Sequence, residues 1–227
     1  MAVDTPLAWS VVIPVKVLAQ AKSRLADLAD GGRRALALAM AVDTVAAAVA
    51  CRLVGAVVVV TDDLAVTDEV SLLGASVIAD TPGAGLNQAL TAGASYASGQ
   101  WPGYGCAALL ADLPALRPGE LTCALRAASA VASAFVADAA GTGTTLYTVR
   151  PGRAFLPKFG PGSRELHQQA GVTELGLAGL AGLRQDVDTL DDLRAAAAIG
   201  LGRRSAALLP GLDPDSRCAR SGRSGSW

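Results

Sequence analysis

Three aspartates are the side chains in this sequence best suited to hold a metal ion. Asp112 follows the apolar run Cys106–Leu110, and Asp186 and Asp188 stand two residues apart before a segment of helical composition. Residues two apart in an extended segment project to the same side, so Asp186 and Asp188 can aim at one cation. Carboxylates suit hard cations, and this pattern therefore predicts Mg²⁺. For Asp112 taken alone, the alternative to a metal ligand is an aspartate that only caps a turn.

A short basic segment follows the first apolar run, Trp9–Val15. It contains Lys16, Lys22 and Arg24, and so holds two of the three lysines in the chain within seven residues. Lysine places a compact charge between phosphate oxygens, whereas arginine grips a phosphate with two parallel hydrogen bonds. A polyphosphate ligand explains this concentration, and a solvated basic loop is the alternative.

Two glycine-rich segments, Gly141–Thr145 and Phe159–Ser163, place hydroxyl side chains among glycines. Such segments let backbone N–H groups approach an anion closely, although ordinary turns have the same composition. His167 is the one histidine of the chain, and we expect it to be a hydrogen-bonded structural residue rather than a catalytic base. Asp191 and Asp192 fall in the first turn of the last predicted helix, where acidic side chains favour the helix dipole.

Composition excludes several classes of protein. The 227 residues carry a formal charge of −1, so the chain has no global field to attract nucleic acid or a membrane surface. No apolar run is long enough to span a bilayer and the N-terminus lacks a signal-peptide pattern, which predicts a cytoplasmic protein. With one histidine and four scattered cysteines, a zinc site is not expected.

Short apolar runs alternate with alanine-rich segments of helical length, a pattern typical of an α/β fold with a mainly parallel sheet. The predicted strands are Trp9–Val15, Val57–Thr61, Ser76–Ala79, Cys106–Leu110, Ala134–Ala137 and Thr144–Arg150. Ligands in such sheets bind beyond the carboxyl ends of the strands, where the segments above begin. We predict one domain over residues 8–202. Residues 203–227, rich in Arg, Gly and Ser, are expected to form a flexible tail.

The ordered combination of these segments resembles the guanylyltransferases of coenzyme F-420 biosynthesis, which look like molybdenum-cofactor guanylyltransferases in fold. The matching segments are Val12–Lys16 with Ala21–Leu25, Gly85–Asn87, Asp112–Leu116, Phe135–Asp138, Gly141–Thr144, Phe159–Ser163 with His167, and Asp186–Thr189 with Asp191–Leu193. The resemblance covers about residues 8–200 and implies a single-domain, Rossmann-like nucleotide-diphospho-sugar transferase (GT-A-like) fold with a mainly parallel mixed sheet flanked by helices. Leu190 departs from the family, which usually has proline there.

The resemblance implies transfer of GMP from GTP to phosphoenolpyruvate with release of pyrophosphate; 2-phospho-L-lactate is the alternative acceptor. The implied roles follow the matching positions. Magnesium would be held by Asp112, Asp186 and Asp188, and the acceptor by Thr144, Gly160 and Ser163. The nucleotide would meet Lys16, Lys22, Ser23, Arg24, Asn87 and Asp112, of which Lys16, Lys22, Arg24 and Asp112 would also be catalytic and Asn87 would lie near the guanine or ribose.

Two other functions remain open at this point. A nucleotidyltransferase for molybdopterin or a sugar phosphate usually has a glycine-rich loop after the first strand, but this chain has no glycine between Pro14 and Asp30. A catalytically silent nucleotide-binding protein would bind GTP without ever releasing pyrophosphate. The sequence leaves the oligomeric state open, a homodimer included.

Overall fold

The computed structural model describes residues 7–16, 30–81 and 83–212. Its strands are β1 (Trp9–Pro14), β2 (Val54–Val60), β3 (Ser76–Ile78), β4 (Gly105–Leu109), β5 (Ser133–Ala137), β6 (Thr144–Val149) and β7 (Thr173–Glu174). Its helices are α1 (Asp30–Val49), α2 (Leu64–Leu72), α3 (Leu86–Gln100), α4 (Pro118–Ala128), α5 (Ser163–Gln169), α6 (Ala181–Arg184), α7 (Leu190–Ile199) and α8 (Arg203–Leu212). The short β7 and α6 were not expected from the sequence.

The strands form one seven-stranded sheet in the order β3-β2-β1-β4-β6-β5-β7. The first four are parallel neighbours, whereas β6 runs antiparallel to both β4 and β5. The α/β class and the mainly parallel mixed sheet are therefore confirmed. The turn to antiparallel pairing beside β4 brings the start of β6 next to the end of β4, because antiparallel neighbours run in opposite directions.

The central strands are apolar on both faces because helices cover both sides of the sheet. Val11, Val12 and Ile13 of β1 are all fully buried. Helix α3 approaches β1 closely through Gly93, where an added Cβ would collide with the Val12 side chain. Lys16 and Asp112 follow the carboxyl ends of strands β1 and β4, which this packing holds in place.

The prediction of a flexible tail from Arg203 onward is wrong for residues 203–212, because they form α8. Asp43 of α1 accepts the backbone N–H groups of Arg204 at 3.0 Å and Ser205 at 2.7 Å and so caps the helix from outside. An ion pair between Arg204 and Glu69 of α2 adds a second attachment. For residues 213–227, which lie outside the described part of the chain, flexibility stays a prediction. No helix among the described residues is long and apolar enough to cross a membrane.

Candidate active site

One pocket of about 620 Å³ opens at the carboxyl ends of β1 and β4. Its lining includes Lys16, Asp112, Thr144, Gly160, Ser163, Asp186 and Asp188. Every site residue predicted from the sequence that falls within the described residues therefore lines this one pocket, with the exception of Asn87. Lys22, Ser23 and Arg24 lie outside the described residues, and their contact with phosphates stays a prediction.

Asp112 is positioned by the turn that follows β4. The Thr44 hydroxyl of α1 donates to the carbonyl of Ala111 at 3.1 Å, and it accepts the N–H of Leu113 at 3.2 Å. These two bonds anchor the backbone on both sides of Asp112. Because Thr44 is fully buried, the anchor belongs to the core rather than to the solvent-facing loop.

The segment that carries Asp186 and Asp188 lies directly against Asp112. The N–H of Val187 donates to the Asp112 carbonyl at 3.1 Å, and the Val187 side chain is fully buried. The side chains on either side of Val187 consequently face away from the core, as the spacing of two predicts, and both line the pocket.

The remaining acidic residues of this segment serve the helix. Asp192 accepts from the N–H of Thr189 at 2.8 Å and from the N–H of Asp188 at 3.2 Å, and with the Thr189 side chain it forms a capping box for α7. Asp191 pairs with Arg194 on the exposed surface. Asp191 and Asp192 thus lie at the start of α7, as expected, whereas the binding of a metal ion by Asp186 and Asp188 stays a prediction.

The pocket concentrates negative charge on one side. Burial, together with the neighbouring charges of Asp112, Asp138 and Asp188, raises the pKa of Asp186 from 3.8 to about 7. A cation in the pocket would remove this repulsion. The site therefore has the negative charge that attracts a divalent cation. Its carboxylate oxygens are ligands of the kind that magnesium prefers.

The carboxylates do not, however, form a ready-made cage. Within the described residues, no group of three or more His, Cys, Asp or Glu side chains is arranged so that it could hold a metal ion. Magnesium usually binds through one or two carboxylates together with substrate phosphates and water. The donor set fits an ion of that kind, one taken up with a nucleotide, and it does not fit a resident structural metal.

Asp138 is a pocket residue to which the sequence analysis gave no role. Its carboxylate accepts the N–H groups of Thr142 at 2.9 Å and Gly143 at 2.8 Å, and this closes the loop that leads to Thr144. The Arg184 guanidinium donates to the Asp138 carbonyl at 2.9 Å from the other side. Like Asp112, it follows a buried strand, and that shared position was the signal available in the sequence.

Asn87 takes part in the site indirectly. Its side-chain amide donates to the Phe159 carbonyl at 2.9 Å and accepts the Phe159 N–H at 2.8 Å, so both polar atoms are engaged with one backbone unit. The predicted contact with guanine or ribose stays untested. What the structure shows is an anchor from α3 to the loop that carries Gly160 and Ser163, in which Gly162 adopts the left-handed conformation (φ 68°) just before α5.

His167 is a structural residue, as expected. It is fully buried and both of its ring nitrogens have partners, the Thr144 hydroxyl at 3.0 Å and the backbone N–H of Lys158 at 3.1 Å. Burial lowers its pKa from 6.5 to about 4; the Lys158 charge also lowers it and a hydrogen bond to the Ser163 backbone opposes the change. An enclosed, neutral and doubly engaged imidazole does not serve as a general base for a ligand in the pocket.

Proteins of known structure share this fold. The structure superposes on that of a protein from Desulfovibrio desulfuricans G20 assigned to the nucleotide-diphospho-sugar transferases, with a TM-score of 0.68, 16% identity, and coverage of 92% of this chain and 97% of that one. A Mycobacterium tuberculosis H37Rv protein solved in complex with manganese shares the fold at a TM-score of 0.50 and 19% identity, with 84% and 97% of the two chains covered. The pocket at the strand ends belongs to a nucleotidyltransferase fold.

The sequence comparison narrows the class to a family. The model of the CofC-like guanylyl transferases matches residues 9–180, and the chain belongs to that family. A relative from Thermomonospora curvata, named phosphoenolpyruvate guanylyltransferase, is 54% identical over 220 residues, which cover 96% of each chain. The resemblance drawn from the ordered segments is thereby confirmed.

Proposed function

We propose that this protein transfers GMP from GTP to phosphoenolpyruvate, giving enolpyruvyl-diphospho-guanosine and pyrophosphate, as a step in coenzyme F-420 biosynthesis. The observation that carries the proposal is that Asp112, Asp186 and Asp188 line the same pocket as Thr144, Gly160 and Ser163. A cation-binding side and a side suited to a small anion thus meet in one cavity. The name carried by the Thermomonospora curvata relative identifies the reaction that such a site would perform.

The reaction needs little acid–base help. A phosphate oxygen of the acceptor attacks the α-phosphorus of GTP, an O–P bond forms, and the bond to the bridging oxygen breaks as pyrophosphate leaves. Because the acceptor phosphate is already ionised near neutral pH, no strong base has to remove a proton. A chain whose one histidine is buried and neutral can therefore carry out this step.

The principal barrier is electrostatic, since two polyanions must approach to about 3 to 3.5 Å. We assign Asp112, Asp186 and Asp188 to hold Mg²⁺ together with the nucleotide phosphates. When bound, the ion neutralises charge on the transferring and leaving groups. Lys16 is exposed at the end of β1 and lines the pocket, where its ammonium group can meet the phosphates. Manganese in the Mycobacterium tuberculosis protein supports a divalent ion in this fold.

The acceptor side would bind the small acid through Thr144, Gly160 and Ser163. Thr144 and Ser163 are at most 3% exposed and nevertheless line the cavity, so their hydroxyls belong to a rigid wall rather than to a mobile surface. Asn87 of α3 anchors the backbone of Phe159, next to Gly160. A preformed wall lowers the entropy cost of holding the acceptor in line with GTP.

The direct test is a competition assay. Purified full-length protein is given GTP, MgCl₂ and equal amounts of phosphoenolpyruvate and 2-phospho-L-lactate, and the products are identified by mass while pyrophosphate is quantified. We expect the enolpyruvyl product to dominate, and ATP in place of GTP to give little turnover. A dominant lactyl product would transfer the proposal to the other acceptor, and GTP binding without pyrophosphate release would overturn it. Size-exclusion chromatography of the same sample tests whether the protein is a homodimer, a state that the sequence leaves open.

A further inference from the structure

The imidazole of His167 lies in a closely defined aromatic setting beneath the acceptor side of the pocket. It stacks with Tyr147 at a ring-centroid distance of 5.0 Å and an interplanar angle of 19°, and with Phe135 at 5.4 Å and 27°. Phe159 meets it edge-on at 5.8 Å. The ring consequently has one orientation, which fixes where each nitrogen points.

The hydrogen bonds determine which nitrogen carries the proton. A backbone N–H can only donate, so the Lys158 N–H at 3.1 Å requires an unprotonated Nε2. A neutral ring then carries its hydrogen on Nδ1, which lies 3.0 Å from the Thr144 hydroxyl oxygen. A hydrogen bond to the Ser163 backbone also acts on the imidazole and raises its pKa. Thr144 therefore accepts from His167.

This tautomer determines what the Thr144 hydroxyl can donate to the pocket. A hydroxyl has one hydrogen to donate, and within the described residues His167 is the hydrogen-bond partner of this hydroxyl. Since Thr144 accepts from the ring, its own hydrogen is left for a ligand, and Thr144 lines the cavity beside Gly160 and Ser163. Such a hydroxyl is a donor held ready for an anionic oxygen.

We propose that His167 is a positioning residue of the acceptor subsite: it ties the Lys158 backbone to Thr144 and directs the Thr144 hydroxyl hydrogen at an anionic oxygen of the phosphorylated acid. This inference rests on the proposed function. It adds a role for a residue that touches no ligand. It also predicts that His167 and Thr144 act as one unit on the acceptor and leave the nucleotide unaffected.

The test compares variants in steady-state kinetics with phosphoenolpyruvate and GTP. Thr144→Val removes the hydroxyl at constant shape, Thr144→Ser keeps it, and His167→Phe keeps the stacking ring but removes both hydrogen bonds. Losing a hydrogen bond to a charged group should raise the KM for phosphoenolpyruvate roughly tenfold in His167→Phe and in Thr144→Val, with the KM for GTP changed less than about twofold. Gln169→Ala, on the exposed side of α5, controls for altering the helix.

The double variant separates positioning from packing. Because His167 is expected to act through the Thr144 hydroxyl, His167→Phe combined with Thr144→Val should be no worse than Thr144→Val alone. Thr144→Ser, which keeps the hydroxyl, should keep the wild-type KM for phosphoenolpyruvate. Multiplying effects, or equal changes in both KM values, would overturn the inference and mark His167 as a packing residue only.

A second measurement does not depend on activity. With a single histidine in the chain, the ¹⁵N spectrum of labelled wild-type protein reports one imidazole, and we expect hydrogen on Nδ1 and none on Nε2 at neutral pH. Hydrogen on Nε2 would overturn the inference even if turnover is normal. Absence of wild-type turnover with phosphoenolpyruvate would instead overturn the proposed function, and with it the assignment of Thr144 to an acceptor, whatever the spectrum shows.

Discussion

On the acceptor side of the pocket, hydrogen bonds fix the loops, whereas on the carboxylate side acidic groups converge and repel one another. His167 accepts a hydrogen bond from the Lys158 backbone, and Asn87 binds the adjacent backbone of Phe159. On the other side, burial and the neighbouring charges of Asp112, Asp138 and Asp188 raise the pKa of Asp186 to about 7. The loops of the acceptor side are therefore held by the protein's own hydrogen bonds, whereas we expect the carboxylate side to be stabilised when a cation binds.

The difference has a chemical rationale. A small acid offers few contacts, so the wall that binds it must be ordered beforehand to gain affinity. A nucleotide arrives with its phosphates and its metal ion. The phosphate oxygens supply metal ligands that the carboxylates of the described residues do not provide as a complete cage. Variants on the two sides should therefore fail in different ways.

The largest effect is expected from Asp112→Asn. The amide keeps the shape of the turn held by Thr44 but removes a negative oxygen from the proposed ion site, and the loss of metal-assisted charge neutralisation should lower kcat at least about a hundredfold. Pyrophosphate release is the measurement, with melting temperature as a check on folding. Asp191→Asn makes the same chemical change on the exposed surface and should leave turnover intact. Normal turnover by Asp112→Asn would remove Asp112 from the metal site.

Acidification should act on the acceptor side through His167. Its pKa is about 4 in the folded protein and 6.5 as the ordinary value, so between these values the unfolded chain binds more protons and stability rises with pH. Lowering the pH from about 6.5 to 4 should cost at most about 3 kcal/mol from this group. Urea unfolding at several pH values measures the slope. His167→Phe should flatten that slope, and an unchanged slope in the variant would contradict the buried, neutral ring.

Gly143→Ala should loosen the loop that leads to Thr144 on the acceptor side. An added Cβ would collide with the Asp138 carboxylate, which already holds the loop through two backbone N–H groups. Overpacking of this size destabilises the folded loop by about 1 to 3 kcal/mol. Because the loop positions Thr144, we expect the KM for phosphoenolpyruvate to rise roughly tenfold while the KM for GTP is nearly unchanged. Gly99→Ala is the matched control, because open space surrounds Gly99 on α3. An effect on GTP equal to that on the acceptor would show that the two sides are not separable.

Much of the fold could be predicted because its signals are local. The apolar runs that become β1, β2 and β4 are bounded by turn residues, and the spacing of Asp186 and Asp188 around a buried valine sets their direction within three residues. The family resemblance identified the segments that meet in the pocket. Rules for strand ends and for alternating side chains were sufficient for this part.

The rest depends on contacts between distant parts of the chain. The cap on α8 comes from Asp43, about 160 residues earlier, so composition alone indicated a tail. Asn87 turned out to hold the backbone of Phe159, and nothing in the Gly85–Asn87 segment shows which partner an amide will find. The tautomer of His167 likewise follows from the Lys158 backbone. Such pairings follow only from the three-dimensional packing.

The smallest effect, and the one that addresses the carboxylate side directly, is expected from Asp186→Asn without metal. Because its pKa is raised above the ordinary 3.8, ionising Asp186 costs stability as the pH rises towards about 7, the opposite sign to His167. In chelator at about pH 8, the variant should therefore be more stable than wild type, by about 1 to 2 kcal/mol after allowance for solvent screening. Adding MgCl₂ and GTP should stabilise wild type more than the variant and narrow or reverse that gap, as thermal unfolding with Asp191→Asn as control would show. A variant less stable than wild type in chelator would mean that the acidic groups are already balanced by the protein, and the contrast between the two sides would fail.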